Sequence, residues 1–391
     1  MKSAPLKILQ IHPFLRGDGL NPRAGGKSRL SLQLSRALAL NGQTVAIFPF
    51  PEPILEKTYP IENGAFPLSL LPTAKIPPLK KIGSYFWTAS RLALADRSGH
   101  AARMGAMYLA GLEDAVKEFR PDIIHSQDSF SDFPLFFHAL GLRIPLLLTH
   151  HTNIAGKHLE SYRRLIFTSE AMRTLVCGGS GPLFERARLI RPAVSALFSD
   201  PAISVTGRRK GILFVGGLRV DKGLQNLLEA YAHSSALRKV PLRICGIGPE
   251  QERFTQFARS HRIPAMFLGR VSPEGLRNEL LAAELLVNPS PGEAFSLALV
   301  EAMCCGTAAL GWKPQMEETE QLLRMECGIG FDPAGSPPDA LAEIILAWLG
   351  RRDVSSVRYR ERLAASARKF FSMERYTAEN LAAYREVLEE G

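Results

Sequence analysis

At 391 residues the chain is too long for one ordinary hydrophobic core, and two domains are expected. Apolar residues make up 46 % and charged residues 22 %, which excludes a disordered or fibrous chain, and the lack of any apolar run of about 18 residues excludes a bilayer-spanning helix. The net charge of +10 is uneven: residues 1–200 hold 24 Lys and Arg against 15 Asp and Glu, the remainder 24 against 23.

A basic first half either presents a solvated surface or meets something anionic, such as a lipid headgroup surface, a phosphorylated acceptor or nucleic acid. Residues 1–14 carry neither a long apolar segment nor a small-residue cleavage site, so no signal peptide is expected. Residues 6–12 (LKILQIH) read as a buried strand. Residues 28–41 follow with Leu30, Leu34, Ala37 and Leu38 at helical spacing, stopped by Asn41-Gly42. Further strands are expected at 44–48, 122–125, 145–149 and 164–167. Residues 75–119 interleave basic and aromatic groups, among them Lys80-Lys81, Tyr85-Phe86-Trp87, Arg91, Arg97 and Arg103. Such a stretch suits core packing, or a helix lying on a membrane surface with its arginines on phosphates.

The pattern restarts after residue 200. Strands are expected at 211–215 (GILFV), 242–245, 265–268 and 285–288, with helices at 223–233, 250–261, 273–281 and 297–303. Strands alternating with helices argue for parallel, doubly wound sheets. The small, polar and basic stretch 199–209 reads as a linker, placing the domains at 1–204 and 205–370. A final helix over about 371–390, with Tyr376, Leu381, Tyr384 and Val387 apolar, either closes the second domain or crosses back to the first. Cys177, Cys245, Cys304, Cys305 and Cys327 lack metal-ligand spacing and read as reduced thiols of a cytoplasmic protein.

The most informative stretch is 288–310, NPSPGEAFSLALVEAMCCGTAAL. A strand ends near Asn288, a Pro/Gly loop follows, and a helix begins near Ser296, whose hydroxyl suits an N-cap. The first amides of that helix, around Phe295 to Leu299, are expected to point unpaired toward an anion such as a diphosphate. Glu293 and Glu301 flank them, about 12 Å apart if the helix were continuous. Carboxylates would repel the phosphates, so their natural partners are hydroxyls at either end of a nucleotide sugar: the sugar for Glu293 and the ribose for Glu301. The competing reading is an exposed Glu293 and a salt-bridged Glu301.

This arrangement resembles the Glu-x7-Glu motif of family-four retaining glycosyltransferases with the GT-B fold, and Gly306-Thr307 continues the pattern. The resemblance implies two doubly wound, Rossmann-like domains facing a central cleft. Gly216-Gly217-Leu218 with Asp221-Lys222-Gly223 looks like the family's turn and basic loop, which holds the donor diphosphate. Lys222 matches the family lysine. The place of the family arginine holds Gly217, and Arg219 is its nearest substitute. Gly246-Ile247-Gly248-Pro249 and the base-framing Gly269-Arg270-Val271 also match. Ala294, Phe295, Ser296 and Leu297 complete the donor-binding positions.

In the first half, Gly25-Gly26-Lys27 resembles the family's glycine loop, which touches donor and acceptor. A phosphate-cradling P-loop, and with it a phosphotransferase, is the rival there, but its first glycine would fall on Asn21. His125-Ser126-Gln127 ends a strand where related enzymes often read His-x-His; Gln127 can recognise hydroxyls but exchanges no proton near neutral pH. His125 is a buried structural residue or a ligand. One of His150 and His151, in Thr149-His150-His151-Thr152, is expected to line the cleft.

The resemblance implies a retaining transferase moving a hexose-type sugar from a nucleoside diphosphate, UDP being slightly favoured over GDP or ADP, to a glycan, lipid or small-molecule acceptor. Lys222, Glu293, Arg219 and Gln127 are the candidate catalytic residues. No metal and no cofactor is expected, since neither ligand spacing nor Asp-x-Asp is present. The basic first domain would take an anionic or membrane-associated acceptor, nucleic acid is not expected, and the location is cytoplasmic, with peripheral attachment to the inner membrane face allowed. The rivals are a degenerate sugar-nucleotide binder and a GT-B nucleotide-sugar epimerase.

Overall fold

The computed structural model describes residues 4–12, 26–49, 68–70, 112–127, 134, 137–138, 140–151, 156, 158–290, 292–293, 295–333 and 336–390, with the side chains of 12, 26–29, 49 and 68–70 set aside. The chain divides into two compact units: Met1–Arg191 with Tyr376–Gly391, and Pro192–Arg375.

In the first unit run β1 (Lys7–His12), α1 (Gly26–Leu40), β2 (Thr44–Pro49), β3 (Leu68–Leu70), α2 (112–119), β4 (Ile123–Ser126), β5 (Leu146–His150), β6 (Arg164–Phe167), α3 (Glu170–Cys177) and β7 (Ala187–Leu189). The strands pair in parallel in the order β3-β2-β1-β4-β5-β6-β7. Helices covering both faces of a parallel sheet explain why β4, β5 and β6 are buried at every position. The chain returns to this unit through the C-terminal helix, Met373–Glu389, which buries Tyr376, Tyr384 and Val387. Its end is held by charge: Arg164, only 4 % exposed, reaches Glu390 Oε1 at 2.5 Å, and Arg188 reaches Glu386 at 3.2 Å.

The second unit repeats the plan with β8 (Ile212–Val215), α4 (Leu224–His233), β9 (Leu242–Cys245), α5 (Gln251–Ser260), β10 (Ala265–Gly269), α6 (Pro273–Ala282), β11 (Leu285–Val287), α7 (Leu297–Cys304), β12 (Ala308–Trp312), α8 (Lys313–Leu323), β13 (Gly328–Phe331), α9 (Pro338–Leu349) and α10 (Val357–Phe370). Its parallel order is β10-β9-β8-β11-β12-β13. In both sheets the strand order reverses beside the first strand, between β1 and β4 and between β8 and β11. Open α/β sheets bind ligands at the C-terminal ends of strands at such switch points. The residue patterns do not show β3, β7, β12, β13 or α8 to α10 in advance.

The second unit starts at Pro192, ahead of the linker expected at 199–209. Val194 and Phe198 are buried in the second core, and the Val194 N–H donates to Phe371 O at 2.9 Å, so this segment is already committed there. Arg209, expected in the linker, is docked instead: its guanidinium donates to Leu280 O at 3.2 Å, Ala283 O at 3.1 Å and Cys305 O at 2.7 Å. No helix among the described residues is long and apolar enough to cross a membrane. Most of the basic and aromatic stretch 75–119 lies outside the described residues.

Candidate donor site at the switch of the second sheet

The loops leaving β8 and β11 meet beside the start of α7. After β8 the chain turns through Gly216 and Gly217 and forms a short 3-10 turn, Val220–Lys222, closed by Gly223 at φ 73°. A Cβ on Gly223 would lie 2.2 Å from Pro289 O, so only glycine lets this loop pack on the β11 loop. Ser290 Oγ donates to Asp221 O at 2.8 Å and ties the two loops a second time. Lys222 Nζ then donates to Glu293 Oε1 at 2.5 Å. Thus two residues 71 apart in sequence share one corner.

Neighbouring turns are packed as closely. Gly246, at φ 149°, would place a Cβ 1.8 Å from Gly216 O, and the Gly246 N–H donates to Gly269 O at 2.8 Å. Gly269 itself sits at φ 65°, at a register shift where β10 pairs with β9. These three glycines knit the ends of β8, β9 and β10. Gly217 is different: the nearest atom to a Cβ there lies at 3.9 Å, an ordinary van der Waals contact, so a side chain fits without displacing a neighbour. Arg219 pairs with Asp221, Nε to Oδ1 at 2.8 Å, with both side chains more than half exposed. That partner holds the Asp221 carboxyl below the usual carboxylate range and raises the Arg219 guanidinium. Arg270 is exposed and Val271 partly so.

At the start of α7, Ser296 occupies the N-cap position, yet its side chain makes no capping bond. The expectation of a hydroxyl cap is corrected: Ser296 Oγ accepts from Asn288 Nδ2 at 3.4 Å. Its N–H, expected bare, donates to Gln315 Oε1 at 3.0 Å, while Gln315 Nε2 returns a bond to Ser296 O at 3.4 Å. Gln315, on α8, is buried and carries no motif, so nothing in the sequence pattern singles it out. Leu297 opens the helix, where amides lack acceptors within the helix and the dipole is positive. Phe295 packs edge-on against Phe371, ring centres 6.0 Å apart. Glu301 lies inside α7 at 8 % exposure, and Glu293 is 16 % exposed, so neither is a solvated surface acid. Gly306, at φ 69°, ends the helix against Arg360 O, and Thr307 Oγ1 donates to Leu280 O at 2.6 Å. Gly25 and Ala294 lie outside the described residues, and Gly26 opens α1.

The first unit holds a buried polar chain at the ends of β1, β4 and β5. His125, fully buried, has Nδ1 at 2.7 Å from Tyr384 OH and Nε2 at 2.7 Å from Thr149 Oγ1. Gln10 Nε2 donates to Tyr384 OH at 3.1 Å, and Gln127 Nε2 donates to Gln10 Oε1 at 3.2 Å. His151 Nε2 lies 2.9 Å from Gln127 Oε1. Three placements differ from a ligand-facing expectation. His125 is enclosed; His150 is buried and stacks on Phe167 at 5.2 Å; and Gln127 is 2 % exposed with both ends of its amide bonded. Of these four side chains His151 alone is partly exposed. Gln10 and Tyr384 carry no motif, although a Gln inside an apolar strand run already demands a buried partner.

Two Rossmann-like units, whose sheets share one strand order apart from the extra edge strand β7 of the first, have the architecture of the GT-B fold. Residues 24–195 match the family model described as Glycosyltransferase Family 4, and residues 199–370 the one described as Glycosyl transferases group 1. The chain is accordingly a GT-B glycosyltransferase built from these two domains. It is 26 % identical over 313 residues to the glycogen synthase of Mycobacterium tuberculosis, covering 72 % of this chain and 73 % of that one. In fold it is similar to a glycosyltransferase from Rickettsia africae, with a TM-score of 0.68 at 16 % identity over 99 % of this chain and 100 % of that one. HepE from Anabaena, solved in complex with UDP, superposes with a TM-score of 0.65 at 16 % identity, over 96 % of this chain and 100 % of the other.

Proposed function

We propose that the chain transfers a hexose-type sugar from a nucleoside diphosphate donor, with retention of configuration and without a metal ion, to a glycan, lipid or small-molecule acceptor. The observation that carries this reading is the Lys222–Glu293 pair at the mouth of α7, with Glu301 buried eight residues on. In this reading the donor diphosphate displaces Glu293 from the ammonium of Lys222. The freed carboxylate then accepts hydrogen bonds from the sugar hydroxyls, and Glu301 accepts from the ribose. Lys222 and the α7 amides stabilise charge building on the leaving diphosphate. The acceptor oxygen attacks the face the diphosphate leaves, and the diphosphate takes the acceptor proton, so no protein base is needed.

UDP is the donor nucleotide favoured by this reading, and the UDP complex of the similarly folded HepE supports testing it first. The basic first unit would carry the acceptor, consistent with an anionic or membrane-associated one. Incubating the chain with radiolabelled UDP- and GDP-sugars in EDTA, with and without acceptor extracts, tests the proposal. Labelled product of unchanged anomeric configuration is expected; dependence on added metal, or inversion, would refute it.

Two placements favour a second reading, a binder without turnover: Arg219 is paired with Asp221, and the Gln127 amide is bonded at both ends. Slow release of sugar from labelled donor in water distinguishes an enzyme, because a dead binder releases none.

A further inference from the structure

A cavity of about 220 Å³ opens at the other edge of the second sheet, lined in part by Arg208, Arg209, Arg351, Arg360, Glu284 and Trp348. Arg209 and Glu284 precede β8 and β11, and Ala308 on its wall begins β12, so the cavity borders the N-terminal ends of these strands. The candidate donor loops leave the C-terminal ends. A four-residue strand alone spans about 13 Å, so the two places are distinct.

The lining carries more positive charge than the fold uses. Arg209 is pinned by carbonyls and by Thr307 Oγ1, and its Nε is buried without a hydrogen-bond partner. Arg360 is held by Gly207 O at 2.8 Å and Ser356 O at 3.4 Å, neither of them an anion. Arg208 is exposed. Among the described residues none of these three makes an ion pair. Arg351, by contrast, is neutralised by Glu326 and Asp353, and the Glu284 carboxylate accepts the Gly211 N–H at 2.5 Å. Burial, and then the charge of Arg360, pull the Arg209 guanidinium down to about 10.

We propose that this cavity binds a phosphate dianion, either free or as the monoester of a small sugar. Arg360, held through Nε and Nη1 by backbone carbonyls, and the exposed Arg208 supply guanidinium donors for phosphate oxygens, while Arg209, whose Nη atoms are used within the fold, adds its charge from behind. Trp348 and Leu349 add an apolar wall against which a sugar ring would rest. The inference stands apart from the donor reading and uses none of its residues.

The test is thermal denaturation of the full chain with inorganic phosphate or with a hexose 6-phosphate, each against potassium chloride at matched ionic strength. A saturable rise in Tm of a few degrees is expected for the unchanged chain and for Lys222→Ala, whose donor loop has lost its ammonium. The rise should vanish in Arg208→Gln/Arg360→Gln. A larger rise with the hexose phosphate identifies a monoester as the occupant, and equal rises identify phosphate. Because Arg360 also braces Gly207, Arg208→Gln alone is the second variant: it removes no bond within the fold and should weaken phosphate binding about tenfold by calorimetry. Persistence of the full shift in the Arg208 variants, its loss in Lys222→Ala only, or no shift beyond the chloride control would overturn the proposal.

Discussion

Lys222 Nζ lies 2.5 Å from Glu293 Oε1, which joins the loop leaving β8 to the loop leaving β11 at the switch point of the second sheet. Both side chains are largely screened from water, at 27 % and 16 % exposure. The pair therefore keeps a cation in place beside the positive end of α7, where an anion is favoured twice over.

Lys222→Ala removes the charge that would meet the leaving diphosphate. Steady-state kinetics should show kcat reduced about 10²- to 10³-fold with a much smaller change in the KM for donor. A defect confined to KM would assign Lys222 to ground-state binding.

For Glu301→Ala the expectation is reversed. Donor affinity measured by calorimetry should fall about tenfold or more, the cost of a lost charged hydrogen bond, with turnover at saturating donor largely kept. Unchanged affinity removes the ribose role.

Gly223 and Gly217 lie in one loop but answer to different constraints. Gly223→Ala must shift Pro289 O, 2.2 Å from the added carbon, and adopt a φ of 73°. We expect Tm to drop by several degrees and donor affinity to fall, since the Lys222–Glu293 corner is displaced. Gly217→Ala meets only ordinary van der Waals contacts, at 3.9 Å and beyond, and should leave Tm within about one degree. Equal effects of the two substitutions would contradict the packing described.

Tyr384→Phe deletes the hydroxyl that meets His125 Nδ1 at 2.7 Å and accepts from Gln10 Nε2 at 3.1 Å. Both partners are buried, so urea denaturation should report a loss of about 1–3 kcal/mol. A loss below about 0.5 kcal/mol would mean that His125 and Gln10 satisfy each other once the hydroxyl is gone.

The five cysteines are buried and free. Burial pushes the thiols of Cys245 and Cys305 up to about 12, from an ordinary value of 9.0, and raises Cys304 and Cys327 as well. Folded thiols stay protonated where unfolded ones ionise, so the unfolded chain binds fewer protons above pH 9. Stability must fall as pH rises from 9 toward 12, by about 1 kcal/mol per thiol over the first unit. Denaturation midpoints at pH 8, 9 and 10 check the slope, which should be shallower in Cys245→Ala. Thiol reagents should label the native chain slowly at pH 8.5 and the unfolded chain fully.

Apart from β3, β7, α2 and α3, the strands and helices through residue 303 are legible because parallel strands buried on both faces leave unbroken apolar runs, and LKILQIH, GILFV and the Gly/Pro punctuation between them are local signals. Over 308–370 the reading failed: β12 (AALGW) and β13 (GIGF) are short and glycine-bearing, and their burial is supplied by neighbours. The second unit starts ahead of the expected linker for a related reason. The linker's small and polar residues look unstructured, but Val194, Phe198 and Arg209 are claimed by partners more than a hundred residues away in some cases, as with Val194 and Phe371.

Local sequence alone determined the β-loop-α order, the glycines at the strand ends, and the presence of Lys222, Glu293 and Glu301 at loop and helix positions. Tertiary structure decided which of these groups meet. It joined Lys222 to Glu293, turned Arg219 to Asp221, gave the Ser296 amide to Gln315, and enclosed His125 behind a tyrosine 259 residues away. Hydrogen bonds and ion pairs depend on distances of about 3 Å between atoms, and the spacing of residues along a chain carries no such distance once the chain has folded back on itself.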